Sequence, residues 1–250
     1  MISVCIPTYN GESYIREQLT SILEQLNHCD EVIISDDGST DNTLKIIDDL
    51  KDPRIKVYQN ELKSDFSSNI RTEQILKKVS LNVQNALNKC VGDYIYLADQ
   101  DDIWLDGRIS QTINLLKSEK PVLVINDCNI INQNEEITQA SYYDYIPPSK
   151  SLLRTVVKSS FHGCCMCFNR ALLNRAFPFP YYSLGHDLWI GLTAIKYGDV
   201  KFVEHCLLSY RRHTMTVTKT GHKSANPLRF KLYYRLMIII EYLKINNRKK

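Results

Sequence analysis

The chain has 250 residues, of which 44% are hydrophobic and 24% are charged, a composition that is ordinary for a globular protein. A net charge of +3 is too small to indicate nucleic acid as a partner, and no stretch of about 18 uncharged apolar residues is present to span a membrane. This length suits one large domain, or one domain with a tail.

The cysteines point to a reducing compartment. Eight are present, and no basic region or long apolar segment precedes the first strand-like run, so we expect a cytoplasmic protein with free thiols. The closely spaced Cys164, Cys165 and Cys167 lack the second CxxC or the histidine pair of a structural zinc site. Buried thiols are therefore the better interpretation.

The first half of the chain alternates apolar, β-branched runs with segments of helical periodicity. Strands are predicted at Ile2–Pro7, Glu31–Ser35, Ile55–Gln59, Asp93–Ala98 and Pro121–Asn126. Helices are predicted at Gly11–Leu26, from the N-cap candidates Ser39–Asn42 through Leu50, and within Glu61–Gln84. Strands separated by helices imply βαβ units, and hence an α/β fold around a mainly parallel sheet.

The pattern is less regular after residue 130. We predict a mobile loop at Ser141–Lys150, strands at Cys164–Phe168 and Val200–Tyr210, and helices at Asp187–Tyr197 and Pro227–Asn247. The last helix is basic and carries an apolar stripe made of Leu228, Leu232, Leu236, Ile239, Ile240 and Leu243. It rests either on anionic lipid or on the domain or a partner subunit.

Polar residues follow the carboxyl ends of four predicted strands. These segments are Pro7–Asn10, Asp36–Ser39, Asp99–Asp102 and Asn126–Asp127. Ligands of open α/β sheets bind outside the carboxyl ends of the strands. Because three of the four segments deliver carboxylates to one edge, we expect a crevice that needs a hard divalent cation such as Mg²⁺ or Mn²⁺.

The cluster Asp99–Asp102 has both a functional and a structural interpretation. Asp99 and Asp101 can coordinate a metal ion together with diphosphate oxygens, and we favour that role for them. Asp102 fits a helix N-terminus, because Ile103–Leu105 is interpreted as the start of a helix.

Three other segments carry candidate groups. Asp36 and Asp37 can accept hydrogen bonds from a nucleobase or a ribose, since the next helix has other caps. Asp187, beside Leu188 and Trp189, suits either a general base or a helix N-cap. In Tyr210–His213 the two arginines suit phosphate, and the histidine suits metal or phosphate, although a solvated basic turn is the alternative.

Several common motifs are absent from the sequence. No GxGxxG follows the first strand, and neither a P-loop nor a GxSxG is present. A dinucleotide-dependent dehydrogenase is therefore not expected.

Three motifs, in this order and spacing, resemble the family 2 glycosyltransferases of GT-A fold. They are Val4–Asn10, Ile34–Asp41 and Gly92–Trp104. The Asp-Gln-Asp-Asp-Ile-Trp form is similar to the rhamnosyltransferase-like branch, which builds bacterial surface polysaccharides. The resemblance covers residues 1–215 as a GT-A domain and leaves residues 216–250 as a basic, amphipathic helical tail.

The resemblance implies an inverting transfer from a nucleoside-diphosphate sugar to a hydroxyl of a saccharide or lipid-linked acceptor, at or near the inner face of the cell membrane. It implies Mn²⁺ or Mg²⁺ on Asp101 and Asp99, with His213 as a further candidate ligand, and Asp187 as catalytic base. The nucleotide-sugar site would comprise Pro7, Thr8, Tyr9, Asn10, Asp36, Asp37, Asp99, Gln100, Gly163, Arg211 and Arg212. The segment between Asn60 and Asn82 is longer than usual in this branch and receives no site residue.

Two other functions stay open on the sequence alone. A sugar-phosphate nucleotidyltransferase is also α/β and metal-dependent, but it normally has a glycine-rich, basic signature where this chain has Pro7–Asn10. A non-catalytic nucleotide-sugar-binding module would not need a base at Asp187.

Overall fold

A computed structural model describes residues 1–62, 71–180, 184–213 and 228–245. The predicted boundary between residues 215 and 216 lies outside these ranges.

The described strands and helices alternate from residue 2 to residue 97, as predicted. The strands are β1 (Ile2–Thr8), β2 (Glu31–Asp36), β3 (Ile55–Gln59), β4 (Tyr94–Leu97), β5 (Ile103–Trp104), β6 (Val122–Ile131), β7 (Ile137–Gln139), β8 (Met166–Asn169) and β9 (Asp199–Arg211). The helices are α1 (Ile15–Leu23), α2 (Thr43–Asp49), α3 (Arg71–Lys89), α4 (Arg108–Leu116), α5 (Leu152–Val157), α6 (Arg170–Ala176), α7 (His186–Tyr197) and α8 (Leu228–Lys244). A single 3₁₀ turn, Gly163–Cys165, precedes β8.

One sheet organises the molecule, with the strand order β3-β2-β1-β4-β8-β6-β9-β5, and β7 pairs with β6. The strands β3, β2, β1 and β4 are parallel, so their carboxyl ends lie at the same edge. The second half of the sheet is mixed, because β8 runs antiparallel to both β4 and β6 whereas β9 runs parallel to β6. This is the expected α/β architecture of the GT-A fold.

Helices cover the sheet because their apolar residues recur at helical spacing. In α1 the buried Ile15, Leu19 and Ile22 lie on one face, as the sequence pattern predicts. The strands β1 and β2 are buried on both faces, which explains their nearly continuous apolar runs. The rigid sheet thus holds the loops at its carboxyl edge in place.

The prediction of a helix at Ile103–Leu105 is wrong. Ile103 and Trp104 form β5, which pairs antiparallel with Ser209 and Leu208 of β9. Strand pairing, a tertiary interaction, decides the structure of this short β-branched and aromatic segment. Helix α4 begins only at Arg108, after a left-handed glycine. Asp102 therefore does not lie at a helix N-terminus.

The structure refines two other predictions, for a strand and for a loop. The predicted strand at Cys164–Phe168 begins two residues later, because Cys164 and Cys165 lie in the 3₁₀ turn. Within the loop Ser141–Lys150, Tyr142 is buried and its backbone N–H donates to Asp127 Oδ1 at 3.0 Å. All eight cysteines are free thiols.

Helix α8 packs on the domain through one face and exposes the other. The Tyr234 hydroxyl donates to the Leu184 carbonyl at 2.6 Å, and the buried Ile238 lies on the same side. The predicted apolar stripe lies mainly on the outer face, where Leu232 and Leu236 are more than half exposed. Among the described helices none is both long and apolar enough to cross a bilayer.

Candidate active site

The carboxyl ends of β1, β2 and β4 form one rim. The β1 residue Thr8 lies opposite Asp36 of β2, and Cys5 of β1 lies opposite Leu97 of β4. This register brings the loops that follow Thr8, Asp36 and Leu97 together, as the sequence predicts. Pro7 lies within β1 and Asn10 follows it in the left-handed region, with φ of 50°.

Asp36 is a buried residue that builds the turn after β2. Its Oδ2 accepts the N–H groups of Gly38 and Ser39, both at 3.0 Å, and its Oδ1 accepts the hydroxyls of Ser39 and Thr8. Gly38 adopts φ of 85°, which side chains rarely allow. The oxygens of Asp36 therefore satisfy the backbone of the loop that presents Asp37.

Asp37 belongs to a polar group around the exposed ring of Tyr9. Its Oδ1 accepts from Asn60 Nδ2 at 3.0 Å, and its Oδ2 pairs with Lys78 Nζ at 3.0 Å. The same Lys78 ammonium lies 4.6 Å from the centre of the Tyr9 ring. The ring of Tyr9 is half exposed, so it offers an aromatic surface next to a hydrogen-bonding carboxylate.

Gln100 fixes the loop after β1. Its Oε1 accepts the Tyr9 N–H at 2.9 Å, and its Nε2 donates to the Tyr9 carbonyl at 3.1 Å. A Cβ at Gly11 would lie 2.5 Å from Gln100 Oε1, so a side chain there would displace the Gln100 amide. The amide of Gln100 is thus engaged with the Tyr9 backbone.

Asp99, Asp101 and Asp187 form a concentrated negative site. Burial, together with the neighbouring charges of Asp101 and Asp187, raises the pKa of Asp99 to about 7. The three carboxylates therefore lie close enough to repel one another, although Asp187 comes from a different element, α7. A bound cation would relieve this repulsion.

His213 joins this site from the end of β9. Its Nε2 lies 2.8 Å from Asp101 Oδ2, and both side chains are largely shielded from water. The His213 ring also contacts the ring of Tyr14, with centroids 4.8 Å apart. The two predicted metal ligands thus meet directly.

Arg211, at the end of β9, contacts the acidic loop, which is the segment Asp99–Asp102. Its Nε donates to the Asp101 carbonyl at 2.9 Å, and its backbone N–H donates to Asp102 Oδ1 at 3.0 Å. The buried guanidinium is paired with Glu17 at 2.5 Å and lies 3.6 Å from Glu135. Arg211 therefore positions Asp101 and Asp102 while its own charge is balanced by two acids.

Arg212 is differently placed. Its Nε and Nη2 atoms are buried and have no hydrogen-bond partner in the part of the chain that the structure describes. The guanidinium lies 5.9 Å from the Tyr210 ring, which in turn packs edge-on against the ring of His162. A half-buried arginine with unused donors is suited to an oxyanion ligand.

Gly163 allows the start of α7 to approach the rim. A Cβ at this position would lie 2.8 Å from His186 Nε2 and 3.7 Å from the Asp187 Cβ. At the same helix start, Asp187 Oδ1 accepts the Leu188 N–H at 2.7 Å, which leaves Oδ2 for other contacts. Burial lowers the pKa of His186, so this residue is neutral beside Asp187 at neutral pH.

The residues present fit a hard divalent cation. Asp99 and Asp101 offer carboxylate oxygens and His213 offers an imidazole nitrogen, a donor set that suits Mn²⁺ or Mg²⁺. The Asp101–His213 contact brings two of these donors together, and Asp99 lies near enough to Asp101 for their charges to interact.

The sequence did not reveal several residues of this region. Lys78 lies in the segment that received no assignment, and its partners Asp37 and Tyr9 come from the ends of other strands. Glu17 lies on the predicted helix α1, where an acidic residue is unremarkable. Only the three-dimensional packing shows that these side chains reach the rim.

Comparison with known proteins identifies related sequences. The family model described as "Glycosyl transferase family 2" matches residues 3–177. The UDP-Glc:alpha-D-GlcNAc-diphosphoundecaprenol beta-1,3-glucosyltransferase WfgD of Escherichia coli is 24% identical over 98% of this chain and 94% of its own length. The dTDP-rhamnosyl transferase RfbG of Shigella flexneri is 36% identical over 51% of this chain and 39% of its own length.

A solved structure has the same fold. It is the glucosyl-3-phosphoglycerate synthase of Mycobacterium tuberculosis, determined in complex with Mn²⁺, uridine diphosphate and phosphoglyceric acid. The TM-score is 0.58 at 18% sequence identity, and the match covers 98% of this chain and 78% of the other.

Proposed function

The chain belongs to glycosyl transferase family 2, and on that premise we propose that it moves a sugar, with inversion, from a nucleoside-diphosphate sugar to an acceptor hydroxyl. The acceptor we propose is a saccharide or a lipid-linked saccharide of bacterial surface polysaccharide synthesis. The observation that carries this proposal is the convergence of Asp99, Asp101 and His213 with Asp187 at one rim of the sheet.

The donor nucleoside is proposed to lie on the ring of Tyr9. Base–aromatic stacking is sequence-tolerant, and the neighbouring carboxylate of Asp37 supplies an acceptor for a base N–H or a ribose hydroxyl. Lys78 holds that carboxylate in place through its 3.0 Å ion pair. Asp36 and Gln100 contribute indirectly, because they fix the two loops that present Asp37 and Tyr9.

The diphosphate is proposed to lie between the acidic loop and Arg212. A divalent ion held by Asp99, Asp101 and His213 would neutralise the charge that develops on the leaving diphosphate. The unused donors of Arg212 are suited to the same phosphate oxygens. Arg211 keeps Asp101 in position through its bond to the Asp101 carbonyl.

Asp187 is proposed as the general base. It lies at the start of α7, close to Gly163 and near enough to Asp99 for their charges to interact. From there it can accept the proton of the acceptor hydroxyl as that oxygen attacks the anomeric carbon from the face opposite the diphosphate. A positioned base typically contributes ~10²–10⁴ in rate.

A lipid-linked acceptor would place the protein at a membrane surface. The outer face of α8 exposes a leucine stripe, and the neighbouring α5 exposes Leu153 at 80%. Arg235 Nη2 donates to the Val157 carbonyl at 3.5 Å, which joins the two helices. Exposed Arg154 and Lys158 add positive charge, so the partner we propose for this surface is anionic lipid.

Vesicle sedimentation tests the membrane contact. We expect the protein to sediment with anionic vesicles, and the double variant Leu232→Asp, Leu236→Asp to lose most of that binding. The matched control is Val91→Asp, because Val91 is 67% exposed at a different surface. Equal binding of all three proteins would exclude this surface, and a concentration-dependent dimer that the double variant abolishes would assign the stripe to a second copy instead.

A thermal-shift screen of nucleotide sugars, with and without Mn²⁺, tests the function itself. A donor at ~100 times its dissociation constant should add about 2.7 kcal/mol to the free energy of unfolding, and only when Mn²⁺ is present. Slow hydrolysis of the same donor with Mn²⁺ would separate an enzyme from a non-catalytic binding module. Stabilisation by sugar 1-phosphates and nucleoside triphosphates, but not by nucleotide sugars, would favour a nucleotidyltransferase.

A further inference from the structure

Three side chains from two separate parts of the chain meet below the acidic rim. A carboxylate oxygen of Asp99, a carboxylate oxygen of Asp102 and the Sγ of Cys164 all lie within 4.8 Å of one another. Asp102 and Cys164 are fully buried, whereas Asp99 reaches the surface. The cluster therefore has one open side, at Asp99.

Asp102 has an oxygen that the fold does not use. Its Oδ1 accepts the Arg211 N–H, but its Oδ2 is buried and accepts no hydrogen bond from any described residue. Buried polar atoms in folded proteins are nearly always satisfied, so an orphaned carboxylate oxygen beside a thiol indicates a missing ligand. A cation can fill that role, because the neighbouring atoms of the cluster are a second carboxylate oxygen and a sulfur.

The charge around the cluster specifies the ligand further. Arg108 is fully buried and donates from Nη2 to the Cys164 carbonyl at 2.5 Å and to the Leu97 carbonyl at 3.3 Å. In their ionised, metal-bound forms the two carboxylates and the thiolate would carry three negative charges, of which Arg108 would balance one. The remaining two match a divalent cation.

We propose that Asp99, Asp102 and Cys164 form a site for a thiophilic divalent cation, Zn²⁺ or Cd²⁺, that is distinct from the donor-metal site at Asp101 and His213. One thiolate and two carboxylates provide three of the four ligands of tetrahedral zinc, and the fourth position opens at the rim. Mn²⁺ and Mg²⁺ prefer oxygen ligands and gain little from a thiolate. When the ion binds, the Cys164 thiol loses its proton to solvent as the metal–sulfur bond forms.

The two sites share Asp99, which has a functional consequence. A zinc ion that holds Asp99 withdraws one carboxylate from the donor metal, so Zn²⁺ inhibits in competition with Mn²⁺. This consequence rests on the proposed function, whereas binding of the ion at Cys164 does not. Sequence spacing could not reveal the site, because Cys164 lies in the turn before β8, far along the chain from the loop between β4 and β5 that carries Asp99 and Asp102.

Titration with Cd²⁺ tests the site directly, through the ultraviolet charge-transfer band of a cadmium–thiolate bond. We expect one tightly bound Cd²⁺ per chain in the whole protein, and the band should be lost in Cys164→Ser. Cys29→Ser is the matched control, because Cys29 is an exposed thiol outside the cluster. It should retain the band.

Asp102→Asn provides a second test that keeps the thiol. The asparagine oxygen can still accept the Arg211 N–H, so we expect a folded protein that binds Cd²⁺ at least tenfold more weakly. A band of full intensity in Cys164→Ser, or unchanged affinity in Asp102→Asn, would overturn the proposal. If the band behaves as expected but no nucleotide sugar binds in the presence of Mn²⁺, the cation site stands and the proposed function fails.

Discussion

Replacement of Gln100 by alanine tests whether the loop after β1 must be held in place for donor binding. Gln100 makes two hydrogen bonds to the Tyr9 backbone, at 2.9 and 3.1 Å, and no other described group duplicates either of them. Without them the Tyr9 ring keeps its contact with Lys78 but loses its fixed backbone. The Tyr9 ring, on which the nucleoside is proposed to lie, should then remain present but become mobile.

The structure sets the size of this effect. Each hydrogen bond contributes about 0.5–1.5 kcal/mol, so the loss of two costs about 1–3 kcal/mol. If the loop must be reordered when the donor binds, that cost appears as a 5- to 150-fold rise in the donor dissociation constant, at about 1.4 kcal/mol per tenfold. Turnover at saturating donor should change little, because Gln100 lies on the nucleoside side of the rim.

Steady-state kinetics at varied donor concentration separates the effect on donor binding from the effect on turnover. We expect KM for the donor to rise in Gln100→Ala while kcat stays within about twofold. Gln111→Ala is a suitable control, because Gln111 also makes a side-chain hydrogen bond, to His205 at 2.6 Å, but far from Tyr9 in the chain and outside the rim. An unchanged donor KM in Gln100→Ala, or an equal rise in the control, would refute the reasoning.

Two further predictions concern the carboxylates. Asp187→Asn should keep its donor affinity and lose ~10²–10⁴ in transfer rate, and transfer at the parent rate would show that Asp187 is not the base. The pKa of Asp99 is raised to about 7 by burial and by the charges of Asp101 and Asp187, whereas the unfolded chain releases this proton near pH 4. The folded state therefore binds more protons between these values, so with chelator present the free energy of unfolding of the parent should fall relative to Asp99→Asn as the pH rises from about 4 to about 7, and should level off above pH 7. A difference between the two proteins that does not vary with pH, measured by urea unfolding, would contradict this assignment.

Much of the fold could be predicted from the sequence, because the first half of the chain obeys simple periodicities. The β3 strand matches its predicted bounds, and β1 and α7 differ from theirs by one residue at a single end. The short segment Ile103–Trp104 could not be predicted, because two residues carry no periodicity and their strand partners lie in β9.

The candidate site, like the fold, could be predicted only in part. The sequence placed acids at the ends of β2 and β4, and the structure brings these loops together at one rim. It could not distinguish carboxylates that face a ligand from those that build a turn. Asp36 and Asp37 are adjacent in sequence, yet one is buried under four hydrogen bonds and the other pairs with Lys78. That difference depends on tertiary contacts alone.

The central claim is that the acidic rim binds the donor through a divalent ion, and calorimetry of Asp101→Ala tests it most directly. The titrant is the nucleotide sugar that gives the largest stabilisation in the thermal screen, with Mn²⁺ present or removed by chelator. We predict that the parent binds this donor tightly only with Mn²⁺, and that the variant binds it weakly and equally in both conditions. Donor binding that does not depend on Mn²⁺ in the parent, or that keeps its full Mn²⁺ dependence in Asp101→Ala, would contradict the claim.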